Sequence, residues 1–396
     1  MNIGFDFRMG GTRHGGIGRY VSELLRAMVT QAKNDRFIVF YNDQSDPTEI
    51  ALLHEQVNVE LVLVAARHYS IAEQTVFLRV LQQHALDVVH FPNFNHPIFY
   101  KRPFVVTVHD MVHHRISGHK KSRWLFFQAY KKEMEHAVVG SRAVIAPTEA
   151  AKADILSYFP DVAKKTQVIY EGTTLTEQSR QKVEAVKKQF LLRRPYFLFV
   201  GTLERKKNIV GLARGFEALR EKYNLDVDLV FAGKADPHYP EEKFRALVGK
   251  HKDHIVFTGY VEDDTLAALY QGAHAYANAS LNEGFGLPGV EAMHFGLPLA
   301  VANTAVFTEV YDDAAVYFDP TDPDDIANQL RLLATDKQFY EQKQERAVAR
   351  ARMFSWERAA TETLTVLHGA ANGSGVSPAI PVSLPYVVHL EEKATS

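Results

Sequence analysis

A chain of 396 residues with 46% hydrophobic and 23% charged side chains has material for two or three packed domains, which excludes a disordered or fibrous protein. The absence of cysteine excludes disulfides, thiolate catalysis and Cys-ligated zinc or iron–sulfur centres. A net charge of −2 by itself points to no partner, and no nucleic acid is expected. No run approaches 18 apolar residues, and Met1 to Gly10 lacks a basic segment followed by an apolar one. Neither a spanning helix nor a signal peptide is therefore predicted, and a cytoplasmic location is expected.

Short β-rich apolar runs alternate with longer amphipathic stretches, the pattern of parallel sheets with crossover helices. In the first half, strands are predicted at 2–7, 37–41, 59–64, 87–91, 104–108, 143–146 and 167–170. Directly after the first comes Gly10-Gly11-Thr12-Arg13-His14-Gly15-Gly16-Ile17-Gly18-Arg19-Tyr20, with Val21, Leu24, Leu25 and Met28 following at helical spacing. Such glycines let backbone approach an anion at a helix start, although a plain tight turn has the same composition. The dinucleotide fingerprint is not met, because no third glycine follows. Two later strands end in Val88-Val89-His90-Phe91-Pro92-Asn93 and Val105-Val106-Thr107-Val108-His109-Asp110. Residues at the carboxyl ends of parallel strands face the crevice where open sheets bind ligands. With 18 histidines in the chain, a structural role for either histidine competes with a role in binding.

In the second half, strands are predicted at 196–200, 228–232, 254–258, 273–277, 298–302 and 315–318. The charged stretch from Glu184 to Arg194 reads as the hinge, dividing a domain over 1–190 from one over 191–353. A helix over 354–370 is expected to cross back to the first domain, and the Gly/Ser/Pro-rich 371–396 reads as a tail. After the strand 196–200 comes Gly201-Thr202-Leu203-Glu204-Arg205-Lys206-Lys207-Asn208, whose three cations suit a diphosphate or make a solvated basic turn. Most specific is Asn282-Glu283-Gly284-Phe285-Gly286-Leu287-Pro288-Gly289-Val290-Glu291, two glutamates eight positions apart around a glycine turn that opens a helix. Backbone N–H groups of Gly284 to Leu287 can hold phosphate there, and a carboxylate can accept from two sugar hydroxyls at once.

Taken in one order, these segments and Asp6-Phe7-Arg8 resemble the retaining GT-B glycosyltransferases of the family-four group, in particular a bacterial mannosyltransferase-like branch. The resemblance runs from about residue 2 to Phe354-Ser355-Trp356-Glu357 and implies an α/β GT-B fold, two doubly wound Rossmann-like domains facing across a cleft. It implies a hexosyltransferase that moves a hexose from a nucleotide sugar, GDP-mannose by branch, to a glycan or lipid-linked saccharide in surface polysaccharide or glycolipid synthesis. By position, Glu291 would bind the donor ribose, Glu283 the transferred sugar near the reacting centre, and Lys207 the diphosphate. Gly15 and Gly16 would close over the phosphates, and His109 would touch the transferred sugar. Gly233, Lys234, Tyr260 and Val261 mark the expected base-binding turns, while His90, Asn93 and Asp110 fall on the acceptor side. Many members carry Arg where this chain has Thr202, so Arg205 or Lys206 is expected to supply that charge.

No Asp-x-Asp metal motif occurs in the expected loops: Asp263-Asp264 and Asp324-Asp325 read as helix starts and Asp312-Asp313 as a turn. Cations and helix-start N–H groups would then carry the leaving-group charge, with no metal or other cofactor. The competing readings are a donor such as UDP-glucose, a GT-B epimerase or phosphorylase, and a non-catalytic sugar-binding protein. Residues 1–190 carry 24 Lys and Arg against 19 Asp and Glu, while the rest carries 21 against 28. Within the basic half, residues 115–132 interleave cations with Trp124, Phe126, Phe127 and Tyr130. That segment is either a peripheral membrane contact or a helix burying its aromatics in the core.

Overall fold

The computed structural model describes residues 1–11, 14–111, 121–235 and 251–373, with side chains in the helix Lys121–Gly140 described from Phe127 onward. Among the described residues the strands make two wholly parallel sheets. The first runs β3-β2-β1-β4-β5-β6-β7, from β1 (Asn2–Asp6), β2 (Arg36–Tyr41), β3 (Val59–Leu63), β4 (Val88–Phe91), β5 (Phe104–Thr107), β6 (Ala143–Ala146) and β7 (Thr166–Val168). The second runs β10-β9-β8-β11-β12-β13, from β8 (Tyr196–Val200), β9 (Asp228–Ala232), β10 (Ile255–Gly259), β11 (Ala275–Asn278), β12 (Leu299–Ala302) and β13 (Ala315–Phe318). Each predicted strand is present within two residues at either end. Strands such as Tyr196-Phe197-Leu198-Phe199 are apolar throughout because helices cover both faces of the sheet, leaving no solvated side to alternate towards.

Each sheet reverses its strand order once, between β1 and β4 and between β8 and β11. Connections leave those neighbours in opposite directions, opening a crevice beyond their carboxyl ends. The passage between the sheets lies upstream of the charged stretch 184–194. Residues 180–189 are helical, capped by the Ser179 hydroxyl, and Val183 and Val186 bury in the second core. The charge on residues 180–189 is the solvent face of an amphipathic helix of the second domain. The chain returns through the helix Trp356–Asn372, whose Trp356, Ala360, Leu364 and Leu367 join the first core. Gln31 Nε2 donates to the Glu357 carbonyl at 2.8 Å, and His368 Nε2 lies 2.7 Å from Asp35, fastening that helix at both ends.

The domains also meet at Glu309, on the helix that follows β12. Its carboxylate accepts from the backbone N–H groups of Glu149 and Ala150 at 2.6 and 2.8 Å, and from the Tyr170 hydroxyl at 3.1 Å. A carboxylate from one domain thus caps the helix Glu149–Tyr158 of the other, where two unpaired N–H groups and the helix dipole favour a negative charge. Burial raises the Glu309 pKa, and those donors oppose the shift.

Candidate active site

The loops after β8 and β11 leave adjacent strands on the two sides of the second sheet's reversal. Arg205–Lys207 form one tight turn ended by Asn208 at φ 49°, and the Leu281 N–H donates to the Lys206 carbonyl at 3.0 Å, joining the two loops. Lys207 Nζ consequently reaches both oxygens of Glu283 at 2.6 Å, with 17% and 13% of the two side chains exposed. Lys206 pairs with Glu204 at 3.4 Å. Burial alone would lower its pKa, but Glu204, Asp110 and Glu283 raise it, so it is a firm cation. Arg205 and Thr202 are exposed, leaving Lys207 the innermost cation of the three.

Glu291 projects from the helix Leu287–His294 and is 2% exposed. Gly286 precedes this helix at φ 91°, a left-handed turn that only glycine enters cheaply, and its carbonyl accepts from Tyr311 at 2.6 Å. The Tyr270 hydroxyl donates to Glu291 Oε2 at 2.8 Å, while Arg19 Nη1 approaches Oε1 at 3.5 Å from the other domain. The same guanidinium pairs with Asp263 at the start of the helix Asp263–Gly272. Burial raises the Glu291 pKa, with Arg19 and Tyr270 opposing the shift. Burial would lower that of Arg19, but Glu291 and Asp263 carry it above the ordinary arginine value. Arg19 therefore spans the crevice onto the carboxylate expected to bind ribose.

On the first domain's side, His109 follows β5. Its Nε2 lies 2.9 Å from the Pro92 carbonyl, which can only accept, so Nε2 carries a proton. Nδ1 faces Glu171 at 3.7 Å and the ring stands edge-on to Tyr20 at 4.6 Å. In this state the imidazole is committed to Pro92, while the His109 carbonyl faces Gly284 across the crevice. A Cβ on Gly284 would lie 2.3 Å from that carbonyl oxygen. The Thr148 hydroxyl also donates to the Gly284 carbonyl at 3.1 Å. Gly284→Ala is thus expected to wedge the domains apart and cut turnover at least tenfold while each domain stays folded. Small-angle scattering should show an expanded particle with an unchanged melting profile.

The remaining predicted residues divide by location. His90 is a correction: it lies fully buried beneath the crevice, its Nε2 2.9 Å from Thr107 Oγ1 and its ring edge-on to Phe5. It lies within β4, whose two faces both pack against a core, and burial lowers its pKa to about 3, so it is neutral and out of an acceptor's reach. Asn93 is buried, donating to the Tyr69 hydroxyl at 3.0 Å and to Asn95 Oδ1 at 2.7 Å. Asp110 lies half-buried, and its charge acts on both Lys206 and Tyr69. Gly15 and Gly16 open the helix Gly15–Gln31 exposed, with space around each Cα, whereas Thr12 and Arg13 lie outside the described residues. Gly233 N–H donates to the Gly259 carbonyl at 2.9 Å, which brings Gly233 and exposed Lys234 beside Tyr260 and Val261. Phe285 and Leu287 bury their side chains in the second core, so only their backbone faces the crevice.

Arg19, Tyr270, Asp263 and Glu171 received no role from sequence. Arg19 had a signal, being a cation lodged between Gly18 and Tyr20 on a buried helix face; Tyr270 lies inside an apolar run and had none. Of the segment 115–132, residues 115–120 and the side chains through 126 lie outside the described residues, as does the tail beyond Gly373. Tyr130 turns inward, its ring 5.1 Å from Phe94. Among the described residues no helix is long and apolar enough to cross a membrane.

The profile of the family described as Glycosyltransferase Family 4 matches residues 14–177, and that of Glycosyl transferases group 1 matches 181–353. The chain is 26% identical over 372 residues to O-antigen chain mannosyltransferase B of Escherichia coli, covering 88% of this chain and 94% of that protein. It is 27% identical to O-antigen chain mannosyltransferase RfbU of Salmonella typhimurium over 58% and 60% of the two chains. A match at 28% identity to the serotype-specific mannosyltransferase WbdA of Escherichia coli covers 55% of this chain but only 28% of that longer protein. Its fold is like that of a glycosyltransferase from Rickettsia africae ESF-5, with a TM-score of 0.73 at 15% identity over 94% of this chain and 99% of that one. It is also like WaaG, a glycosyltransferase involved in lipopolysaccharide biosynthesis, with a TM-score of 0.70 at 17% identity over 93% and 100%. Two matched halves, two facing parallel sheets and the Lys207–Glu283 pair at the second reversal lead to one conclusion: the chain belongs to the family-four glycosyltransferases of the GT-B fold and is a hexosyltransferase.

Proposed function

We propose that the chain transfers mannose from GDP-mannose, with retention of anomeric configuration, to a saccharide or lipid-linked saccharide in surface polysaccharide synthesis. The Lys207–Glu283 pair carries this reading, because the two groups a sugar diphosphate needs stand within one contact. An arriving diphosphate offers Lys207 a more highly charged partner, freeing the Glu283 carboxylate to accept from hydroxyls of the transferred sugar. Lys206 and the N–H groups of Gly284 to Leu287 add positive potential where the leaving group gains charge. Gly15 and Gly16 offer backbone N–H groups from the opposite wall, and Glu291 takes the ribose once Arg19 yields it. Similarity to mannosyltransferases supports the choice of sugar.

Two cations placed for the diphosphate make a divalent metal unnecessary, so activity should survive EDTA. Thermal stabilisation by a panel of GDP- and UDP-sugars, followed by transfer to mannose-terminated oligosaccharides and NMR of the product linkage, tests the whole reading. Selective stabilisation by UDP-glucose, or an inverted product, would overturn it. Co-sedimentation with anionic liposomes tests the companion proposal that 115–132 contacts a membrane surface.

A further inference from the structure

Tyr69 is an aromatic residue held rigid yet left exposed. It is one of the few described non-glycine residues with positive φ, at 57°, and 54% of it is open to solvent. A left-handed tyrosine is strained and persists only where its surroundings over-determine it. Here they do. Its N–H donates to Glu73 Oε2 at 2.9 Å, and Glu73 Oε1 accepts from Arg8 at 2.6 Å and from Asn95 at 2.9 Å. Arg8 is fully buried and also forks onto Asp6 at 2.7 and 2.8 Å, so the anchor beneath Tyr69 is a buried ionic network. At the other end Asn93 donates to its hydroxyl, and the ring leans on His68 at 5.4 Å and Phe94 at 5.8 Å.

The network lies at the carboxyl ends of β1 and β4, the reversal point of the first sheet. Asp110, whose charge acts on both Tyr69 and Lys206, links this wall to the basic turn of the opposite domain. A fixed aromatic face beside an amide and a carboxylate matches a pyranose, which presents axial C–H groups on one face and hydroxyls around its edge. We propose that Tyr69 is the stacking platform for the acceptor's terminal pyranose, with Asn93 holding the tyrosine hydroxyl from beneath and half-buried Asp110 on the same wall meeting the sugar's hydroxyls; this rests on the glycosyltransferase reading above. Pinning the ring in advance removes the rotamer cost of ordering it on binding.

The experiment compares wild type, Tyr69→Gly and Tyr69→Phe. Glycine relieves the left-handed strain and so keeps the fold, while phenylalanine keeps the ring. With α-1,3-mannobiose as probe, saturation-transfer-difference NMR should show wild-type signal concentrated on the ring C–H groups of one pyranose. That signal should vanish in Tyr69→Gly and persist in Tyr69→Phe. With GDP-mannose as donor, the KM for mannobiose should rise about tenfold in Tyr69→Gly, while donor affinity by calorimetry stays constant. No wild-type signal, or an equal signal in Tyr69→Gly, would overturn the platform. Mannobiose contact through Tyr69 without GDP-mannose binding would instead sink the donor assignment and leave the platform standing.

Discussion

Lys207→Ala should lower the transfer rate by about 10²–10³-fold at saturating donor, the usual cost of removing one preorganised group from a developing charge. Three features support so large an effect. Lys207 is the innermost of the cations at 205–207, it is 17% exposed, and its ammonium meets both Glu283 oxygens at 2.6 Å. In the substituted protein Glu283 keeps its charge in a partly desolvated loop beside an incoming diphosphate, so repulsion adds to the lost attraction. Donor affinity should fall much less, because leaving-group charge is larger in the transition state than in the ground state. Single-turnover rates set against donor dissociation constants separate the two. A large loss of affinity with an unchanged rate would restrict Lys207 to holding the donor.

Glu291→Gln should weaken GDP-mannose binding by about 10–100-fold, the range for losing charge-assisted hydrogen bonds to two hydroxyls. The same substitution should make the unliganded protein more stable near neutral pH. Burial raises the folded pKa of Glu291 above its unfolded value, so ionisation costs more in the folded state. Stability tied to this group is present at low pH and is lost as pH rises through the raised pKa. Glutamine never ionises, keeps the Tyr270 contact in shape and leaves Arg19 paired with Asp263. The gap between variant and wild-type melting temperatures should therefore open from the acid side towards neutrality. A gap constant with pH would mean that desolvation of this carboxylate is not what the variant relieves, and unchanged donor affinity would refute the ribose role. Activity bought with stability is common where a charge must wait in a dry site.

Local composition carried most of the architecture. Strands such as 196–200 and 228–232 were readable because a sheet covered on both faces needs uninterrupted apolar residues, and the turns between them are marked by glycine and capping residues. Lys207, Glu283 and Gly284 were visible as candidates because each lies in a loop after a strand, where backbone geometry restricts the residue type, and Glu291 because it follows that loop by one helical turn. In the charged stretch 184–194, charge alone does not separate a linker from the wet face of a helix; Val183 and Val186 at helical spacing show that residues 180–189 are the latter. His90 misled because being near a strand end does not say which face a side chain takes. In a sheet packed on both faces either face is buried, and only residues beyond the last strand position reach the crevice; His90 lies inside β4, against Thr107 and Phe5.

The sequence by itself determined two parallel sheets, the glycosyltransferase family and a set of candidate charged groups in the loops after the strands, since periodicity and loop chemistry are local properties. Tertiary structure alone decided the pairings: Lys207 with Glu283, Arg19 across the crevice on Glu291, Glu309 capping a helix of the other domain, and Tyr69 braced by Glu73. These partners stand 76, 272, 160 and 4 positions apart along the chain. Even the last pair depends on distant Arg8 to hold its carboxylate. Coulombic contact and burial follow distance in space, which sheet order and domain packing set and which separation along the chain does not encode.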